Sequence, residues 1–192
     1  MARLARGAHL RLLEKRSKGD GGGLVLVQNT SRFPTAEVVE LVEFATADVD
    51  MSGVCVNVKN TRTYACAGYA YDGVPDISNA PPGSVYLVTI RLGPDREFPS
   101  TMAHRKKSPA VEIVCWREAL VTVAAHEAKH IEQYRLGAPR SEVACERFAA
   151  WVLEVYRWGY EASTRVAAPS RESRIERMSS AVPTKIGVSR SV

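Results

Sequence analysis

Apolar residues in the middle of the chain recur at spacings that distinguish strands from helices. Within residues 53–60, Val54, Val56 and Val58 alternate with Cys55, Asn57 and Lys59, which is typical of a strand. Residues 33–48 instead have apolar side chains three and four positions apart, which predicts an amphipathic helix. Three further apolar runs predict strands: 24–29, 63–73 and 84–93. We expect 63–73 to pair with the preceding strand as a hairpin.

The second half of the chain is predicted to be helical after a loop at residues 94–108. The first helix ends at Gly137, because glycine is a common helix stop. The sequence allows two starts for this helix. It could begin just after Ser108, which would cap it, or it could begin at Trp116 if "VEIVCW" stays extended. A second helix is predicted over residues 141–160, with its first residue, a serine, as the cap.

The order of elements predicts an α+β fold. A small antiparallel sheet would be packed by one N-terminal helix and two C-terminal helices. Residues 1–23 are rich in glycine and basic groups and are predicted to be a flexible arm, followed by one domain over 24–161. Residues 162–192 are rich in Ser, Arg and Pro and predict a disordered basic tail.

The net charge of +5 is concentrated at the two ends of the chain. Residues 1–23 and residues 162–192 each carry six basic and two acidic groups, so the middle has a net charge of −3. Basic ends can bind nucleic acid or another polyanion, although solvated tails are the favoured interpretation. Four cysteines without a C-x-x-C pair, and no membrane-length apolar run, indicate a cytoplasmic protein with reduced thiols.

The stretch "VTVAAHEAKHIEQY" carries the strongest chemical signal in the sequence. His126 and His130 lie four residues apart and therefore face the same side of the predicted helix. Glu127 lies about 100° further round the helix axis, where it could reach a water molecule beside a metal bound by the histidines. Two imidazole ligands and a general base on one helical turn form the H-E-x-x-H pattern of zinc hydrolases.

A third ligand is expected from the helix that follows. The segment "SEVACERFAAW" places Glu142 and Glu146 four apart on one helix face. Eleven residues separate His130 from Glu142, so the two helices should be antiparallel neighbours. The first turn of the second helix would then lie close to the histidine pair, and helical phase alone allows either glutamate.

These two motifs resemble the gluzincin metallopeptidases, most closely the compact members of the ImmA/IrrE type. In that family H-E-x-x-H precedes a Glu-x-x-Ala-Asn-x-Phe-Ala pattern, and matching it on Phe148 assigns Glu142 as the third zinc ligand. Cys145 and Glu146 replace the usual Ala and Asn. The resemblance covers about residues 34–160 and implies a minimal zincin core, with Glu146 orienting a ligand histidine through a hydrogen bond.

The resemblance also implies a function, the zinc-dependent hydrolysis of a peptide or protein substrate. Glu127 would be the general base that removes a proton from water. Tyr134 is a candidate donor to the transition state, as are Tyr156 and Tyr160. The strand at 84–93 resembles the edge strand on which zincins bind an extended substrate, but a central strand explains its sequence as well.

Two other functions remain open from the sequence, a non-catalytic zinc-binding domain and a protein that binds polyanions through its basic ends. The intact Glu127 favours an enzyme, because a purely structural metal site does not need it. Cys145 could be a thiolate ligand, although a small buried hydrophobic residue is the favoured interpretation. Lys129 and Gln133 are predicted to face solvent, with Gln133 also able to line a groove.

Overall fold

The computed structural model describes residues 25–75, 79–102 and 110–167, with side chains as far as Gly159. Within them the protein has an α+β fold, which confirms the predicted class. The main elements in chain order are β1 (Leu26–Asn29), α1 (Thr35–Ala45), β2 (Val54–Asn60), β3 (Cys66–Tyr71), β4 (Tyr86–Leu92), β5 (Ser100–Met102), β6 (Val111–Ile113), α2 (Trp116–Arg135) and α3 (Glu142–Ala167).

The larger sheet has four strands in the order β1-β2-β4-β3. Strands β1, β2 and β4 run parallel, and only β3 is antiparallel to its neighbour β4. The prediction that this sheet is antiparallel was therefore wrong, and so was the prediction that β2 and β3 form a hairpin. Strand β4 lies between them, which confirms the central alternative for residues 84–93 and excludes the edge alternative.

Strands β2 and β4 form the centre of the core. The residues from Val54 to Val58 are all buried, as are those from Leu87 to Ile90. A continuous buried run is the pattern expected of parallel strands inside a sheet. Helices α1 and α2 pack beside each other, and α2 also contacts β3 and β4. The helix that carries the histidine pair therefore lies against the β3–β4 side of the sheet.

Helix α2 begins at the later of the two predicted starts, because "VEIVCW" is extended. The first three residues of this extended segment form β6, which pairs with β5 in a two-stranded antiparallel sheet. The predicted loop at 94–108 was thus wrong in part, since it contains β5 and a short 3₁₀ helix (Asp95–Glu97). The Glu118 carboxylate accepts a hydrogen bond from the Val114 backbone N–H at 3.0 Å, which satisfies a free donor at the helix start.

A tight connection joins α2 to α3. Gly137 adopts φ 58°, and the backbone N–H groups of Gly137 and Ala138 donate to the carbonyls of Tyr134 and Gln133, which satisfies carbonyls at the end of α2. Ser141 then caps α3, as predicted, by accepting a hydrogen bond from the Ala144 N–H at 3.3 Å. The start of α3 is therefore held near the end of α2.

Helix α3 continues to Ala167, beyond the predicted end at residue 160, so the first residues of the predicted tail are helical. The chain divides into two compact units, Met1–Val155 and Tyr156–Val192, and the division falls within α3. The predicted arm at 1–23 and residues 168–192 of the predicted tail lie outside the described residues.

All four cysteines have free thiols in the structure. None of the helices in the described part of the chain has the length and apolar character needed to cross a bilayer.

Candidate metal centre

The two histidines of α2 converge on one oxygen atom of α3. His126 and His130 are both buried, and their rings meet edge to face with centroids 4.9 Å apart. The Nε2 atom of His126 lies 3.3 Å from Oε2 of Glu142, and the Nε2 atom of His130 lies 3.4 Å from the same oxygen. The structure thus brings together the three residues that the sequence predicted as ligands.

These two nitrogen–oxygen separations are close to the distance between two ligand atoms of a tetrahedral zinc ion. Zinc binds histidine nitrogen and carboxylate oxygen at about 2.0–2.2 Å, so two ligand atoms of a tetrahedral site lie about 3.4 Å apart. The observed distances are longer than most N–H···O hydrogen bonds. In addition, Nε2 of His130 is buried and has no hydrogen-bond partner among the described residues. A metal ion would satisfy this nitrogen, which is otherwise costly to bury.

Gln133 fixes the orientation and the tautomer of His130. Its Oε1 accepts the backbone N–H of Ser141 at 3.1 Å, and its Nε2 donates to the Ser141 carbonyl at 3.4 Å. These two bonds identify Oε1 as the amide oxygen, which can only accept hydrogen bonds. The same oxygen lies 3.2 Å from Nδ1 of His130, which favours the tautomer with the proton on Nδ1. In the neutral ring Nε2 then presents a lone pair toward Glu142.

Gln133 is the residue whose role the sequence analysis missed. It was predicted to face solvent, but its side chain is buried. Its position three residues after His130 was a usable signal, because residues at that spacing are neighbours on a helix. The bonds to Ser141 depend on the connection between the helices, which the sequence pattern does not specify.

Glu142 is the first residue of α3 and is partly exposed. Its Oε1 accepts a hydrogen bond from Nε of Arg140 at 3.1 Å, which leaves Oε2 directed at the histidines. In the metal-free protein, burial acts to raise the pKa of this carboxyl, but the positive charges of protonated His130, Arg140 and protonated His126 outweigh it and hold the pKa below its usual range. Glu142 is therefore an anion at neutral pH, as a metal ligand must be.

Glu127 lies between the helix and the edge of the sheet. It is buried, and its Oε2 atom has no hydrogen-bond partner. Burial raises the pKa of Glu127 to about 7, and the negative charge of Glu142 adds to this rise. A carboxyl whose pKa lies near neutral pH can both accept and return a proton, which is the property required of a general base.

A second combination of residues could also hold a metal ion: His126, His130 and Cys145 have ligand atoms within 4.8 Å of one another. However, the Cys145 sulfur lies 3.4 Å from Nδ1 of His130, on the opposite side of the ring from Glu142. One ion cannot use both sides of this imidazole. Burial, together with the charges of Glu142 and Glu127, raises the pKa of Cys145 to about 12. Cys145 is fully buried, in agreement with the interpretation that it serves as a small hydrophobic residue of the core.

Two other predicted site residues have different surroundings from those expected. Neither carboxylate oxygen of Glu146 has a hydrogen-bond partner in the part of the chain that the structure describes, so the predicted bond to a ligand histidine is not formed. Tyr134 stacks beside His130, with ring centroids 6.4 Å apart, and its hydroxyl donates to the carbonyl of Ala70 at 3.3 Å. Tyr156 belongs to the second unit, and the side chain of Tyr160 lies outside the described residues.

Comparison of the chain with protein-family models, with curated proteins and with solved structures finds no match. The likeness to gluzincins therefore depends on the two motifs alone.

Proposed function

We propose that the protein is a zinc-dependent peptidase in which His126, His130 and Glu142 hold the metal ion. The observation that supports this most strongly is the convergence of two imidazole nitrogens on one carboxylate oxygen at 3.3 and 3.4 Å. Three protein ligands leave one coordination position open, as in catalytic zinc sites. The adjacent H-E-x-x-H glutamate favours catalysis over a purely structural role for the metal.

The chain's own residues account for the remaining steps of hydrolysis. When bound, zinc supplies a Lewis acid that polarises a carbonyl group and makes water more acidic. Glu127 takes a proton from the attacking water and returns it to the nitrogen of the leaving amine. Gln133 keeps the Nδ1 proton of His130 in place during this cycle, so that Nε2 remains the ligand atom.

Strand β3 is the candidate for substrate binding. Among the described strands of the larger sheet, β3 is an edge strand and pairs only with β4. Its residue Ala70 accepts a hydrogen bond from Tyr134, and a backbone hydrogen bond from Ala70 acts on Glu127. An extended peptide that pairs with β3 would therefore pass close to the general base. Backbone pairing of this kind gives affinity without requiring a particular sequence.

The test compares the zinc-loaded wild-type protein with Glu127→Gln on a proteome-derived peptide library analysed by mass spectrometry. We expect wild type to cleave a defined subset of peptides and the variant to bind one zinc per chain without cleaving them. The reason is that glutamine cannot accept the proton from water, whereas the three ligands remain intact. Glu132→Gln, on the same helix, is the matched control and should retain both zinc and activity.

The proposal would be contradicted by cleavage that proceeds equally in wild type and Glu127→Gln. A library left uncut by zinc-loaded wild type would also contradict it. Removal of zinc by a chelator should abolish cleavage, and its return should restore it.

A further inference from the structure

Arg140 lies in the connection between α2 and α3, just before the first turn of α3. Its Nε donates to Oε1 of Glu142 at 3.1 Å, whereas Oε2 of the same carboxylate faces the Nε2 atoms of His126 and His130 at 3.3 and 3.4 Å. The two oxygens of the proposed ligand therefore have different partners. One contacts a guanidinium group, and the other is directed at the histidine pair.

The number of carboxylate oxygens that bind the metal ion decides whether the centre can act as a catalyst. A catalytic zinc site has three protein ligands and one open position, which water or substrate occupies. A carboxylate can bind a metal ion through one oxygen or through both. If both oxygens of Glu142 were bound, the second oxygen would compete for the open position.

The bond from Arg140 favours binding through one oxygen. A hydrogen bond from a guanidinium group to a carboxylate is charge-assisted, and Oε1 would have to give it up before it could approach the ion. Groups that hydrogen-bond to a ligating carboxylate orient it in this way. The guanidinium group also acts on the general base: burial raises the pKa of Glu127 to about 7, and the positive charge of Arg140 limits this rise.

The connection between the helices holds the backbone of Arg140 in place for this contact. Gln133 binds both backbone polar groups of Ser141, the next residue, and the Ser141 hydroxyl caps α3. The Arg140 side chain itself is 56% exposed, and exposed ion pairs contribute little to stability. A weak bond is sufficient here, because it only has to bias the choice between two ways of binding the same ion.

We propose that Arg140 is a positioning residue that keeps Glu142 bound through one oxygen and thereby keeps the fourth coordination position open. The inference rests on the metal centre of the proposed function. Loss of the Arg140 side chain should have different effects on two properties. The metal ion is held at least as tightly, whereas a further ligand has less access to it. A residue that only stabilised the fold would not separate these properties.

The test uses the cobalt(II)-loaded full-length protein, because cobalt accepts the tetrahedral ligand sets of zinc and, unlike zinc, absorbs visible light. Imidazole is titrated into wild type and Arg140→Met, and its binding to the metal ion is followed by the visible spectrum. At alkaline pH imidazole is neutral, so removal of the Arg140 charge does not itself change its attraction to the site. We expect imidazole to bind about five-fold more weakly to the variant. The variant should still take up one cobalt ion per chain, with an affinity no lower than that of wild type.

Two further variants separate the hydrogen bond from the charge and from the general effect of a substitution. Arg140→Lys retains a cation that can donate to Oε1, so its affinity for imidazole should lie within about two-fold of that of wild type. Arg147→Met removes an exposed arginine from α3 and should leave the affinity unchanged.

Equal imidazole affinities of wild type and Arg140→Met would overturn the inference while leaving the metal centre itself supported. An Arg140→Met protein that loses the metal ion would also overturn it, since Arg140 would then be needed for affinity rather than for the open position. A wild-type protein that takes up neither cobalt nor zinc would instead contradict the proposed function, and the inference with it.

Discussion

At the scale of single residues, the candidate metal centre depends on a buried amide as much as on the three ligands. Gln133 contacts His130 on one side and both backbone polar groups of Ser141 on the other. It therefore couples the tautomer of a ligand to the start of the helix that carries Glu142. Groups that hold a ligand histidine in this way raise its basicity and its affinity for metal.

Gln133→Met should weaken zinc binding, because methionine has nearly the same length but its thioether sulfur is only a weak acceptor of the hydrogen bond from Nδ1. We expect a loss of about 10–100-fold in zinc affinity, measured by competition with a chromophoric chelator. The matched control is Gln28→Met, since Gln28 lies on β1 and donates to Asn79. An affinity of Gln133→Met within two-fold of wild type would show that the amide does not orient the ligand.

The pKa of Glu127 predicts how the stability of the metal-free protein depends on pH. The pKa is about 7 in the folded state against an ordinary value of 4.5, so the folded state binds more protons between these values. The free energy of unfolding should therefore fall as pH rises from 4.5 to above 7. The expected fall, relative to Glu127→Gln, is on the order of 3 kcal/mol. Urea denaturation in the presence of a chelator measures this, and parallel pH curves for the two proteins would contradict it.

At the scale of elements, hydrophobic periodicity predicted where strands and helices lie but not which strands pair. The alternation in 53–60 and the helical spacing in 33–48 are local properties, and β2 and α1 formed there. After β3, the long connection at 72–85 brings the chain back so that β4 forms between β2 and β3. Only this return allows β3 to pair with β4. No local pattern specifies such a return, and a hairpin was the simpler expectation.

Short strands and helix ends show the same limitation. Strands β5 and β6 have three residues each, which is too few for a period-two pattern to be recognised. Helix α3 continued past residue 160 because no proline occurs before Pro169 and the intervening residues include good helix formers. The predicted tail was inferred from composition, which does not exclude helix.

The contact between β3 and α2 gives an element-scale prediction at Gly68. A Cβ atom at this position would lie 2.4 Å from Oε1 of Glu127 and 2.5 Å from a methyl group of Val123. Gly68→Ala should therefore push the strand from the helix and destabilise the protein by about 1–3 kcal/mol.

The matched control is Gly159→Ala in α3, where an added Cβ would meet nothing within 4 Å. This change should leave stability unchanged or raise it by up to about 1 kcal/mol, because alanine favours helix. Denaturant unfolding of both variants is the measurement. A Gly68→Ala protein as stable as wild type would mean that the close approach of strand and helix does not constrain the fold.

At the scale of the whole molecule, the sheet, α2 and the start of α3 together form the candidate site. Four-residue spacing and a short connection between helices predicted that His126 and His130 would meet a carboxylate of the next helix, and the resemblance to gluzincins assigned that role to Glu142. The sequence did not predict that Cys145 would lie on the Nδ1 side of His130, since the rotation of a ring is set by packing.

The most direct test is zinc K-edge X-ray absorption on the full-length protein loaded with one equivalent of zinc. Coordination by His126, His130 and Glu142 predicts only nitrogen and oxygen neighbours at about 2.0–2.2 Å. The spectrum should be unchanged in Cys145→Ser, whereas Glu142→Ala should lose the zinc or replace one oxygen neighbour by water. A sulfur neighbour at about 2.3 Å, or a wild-type protein that retains no zinc on dialysis, would contradict the account.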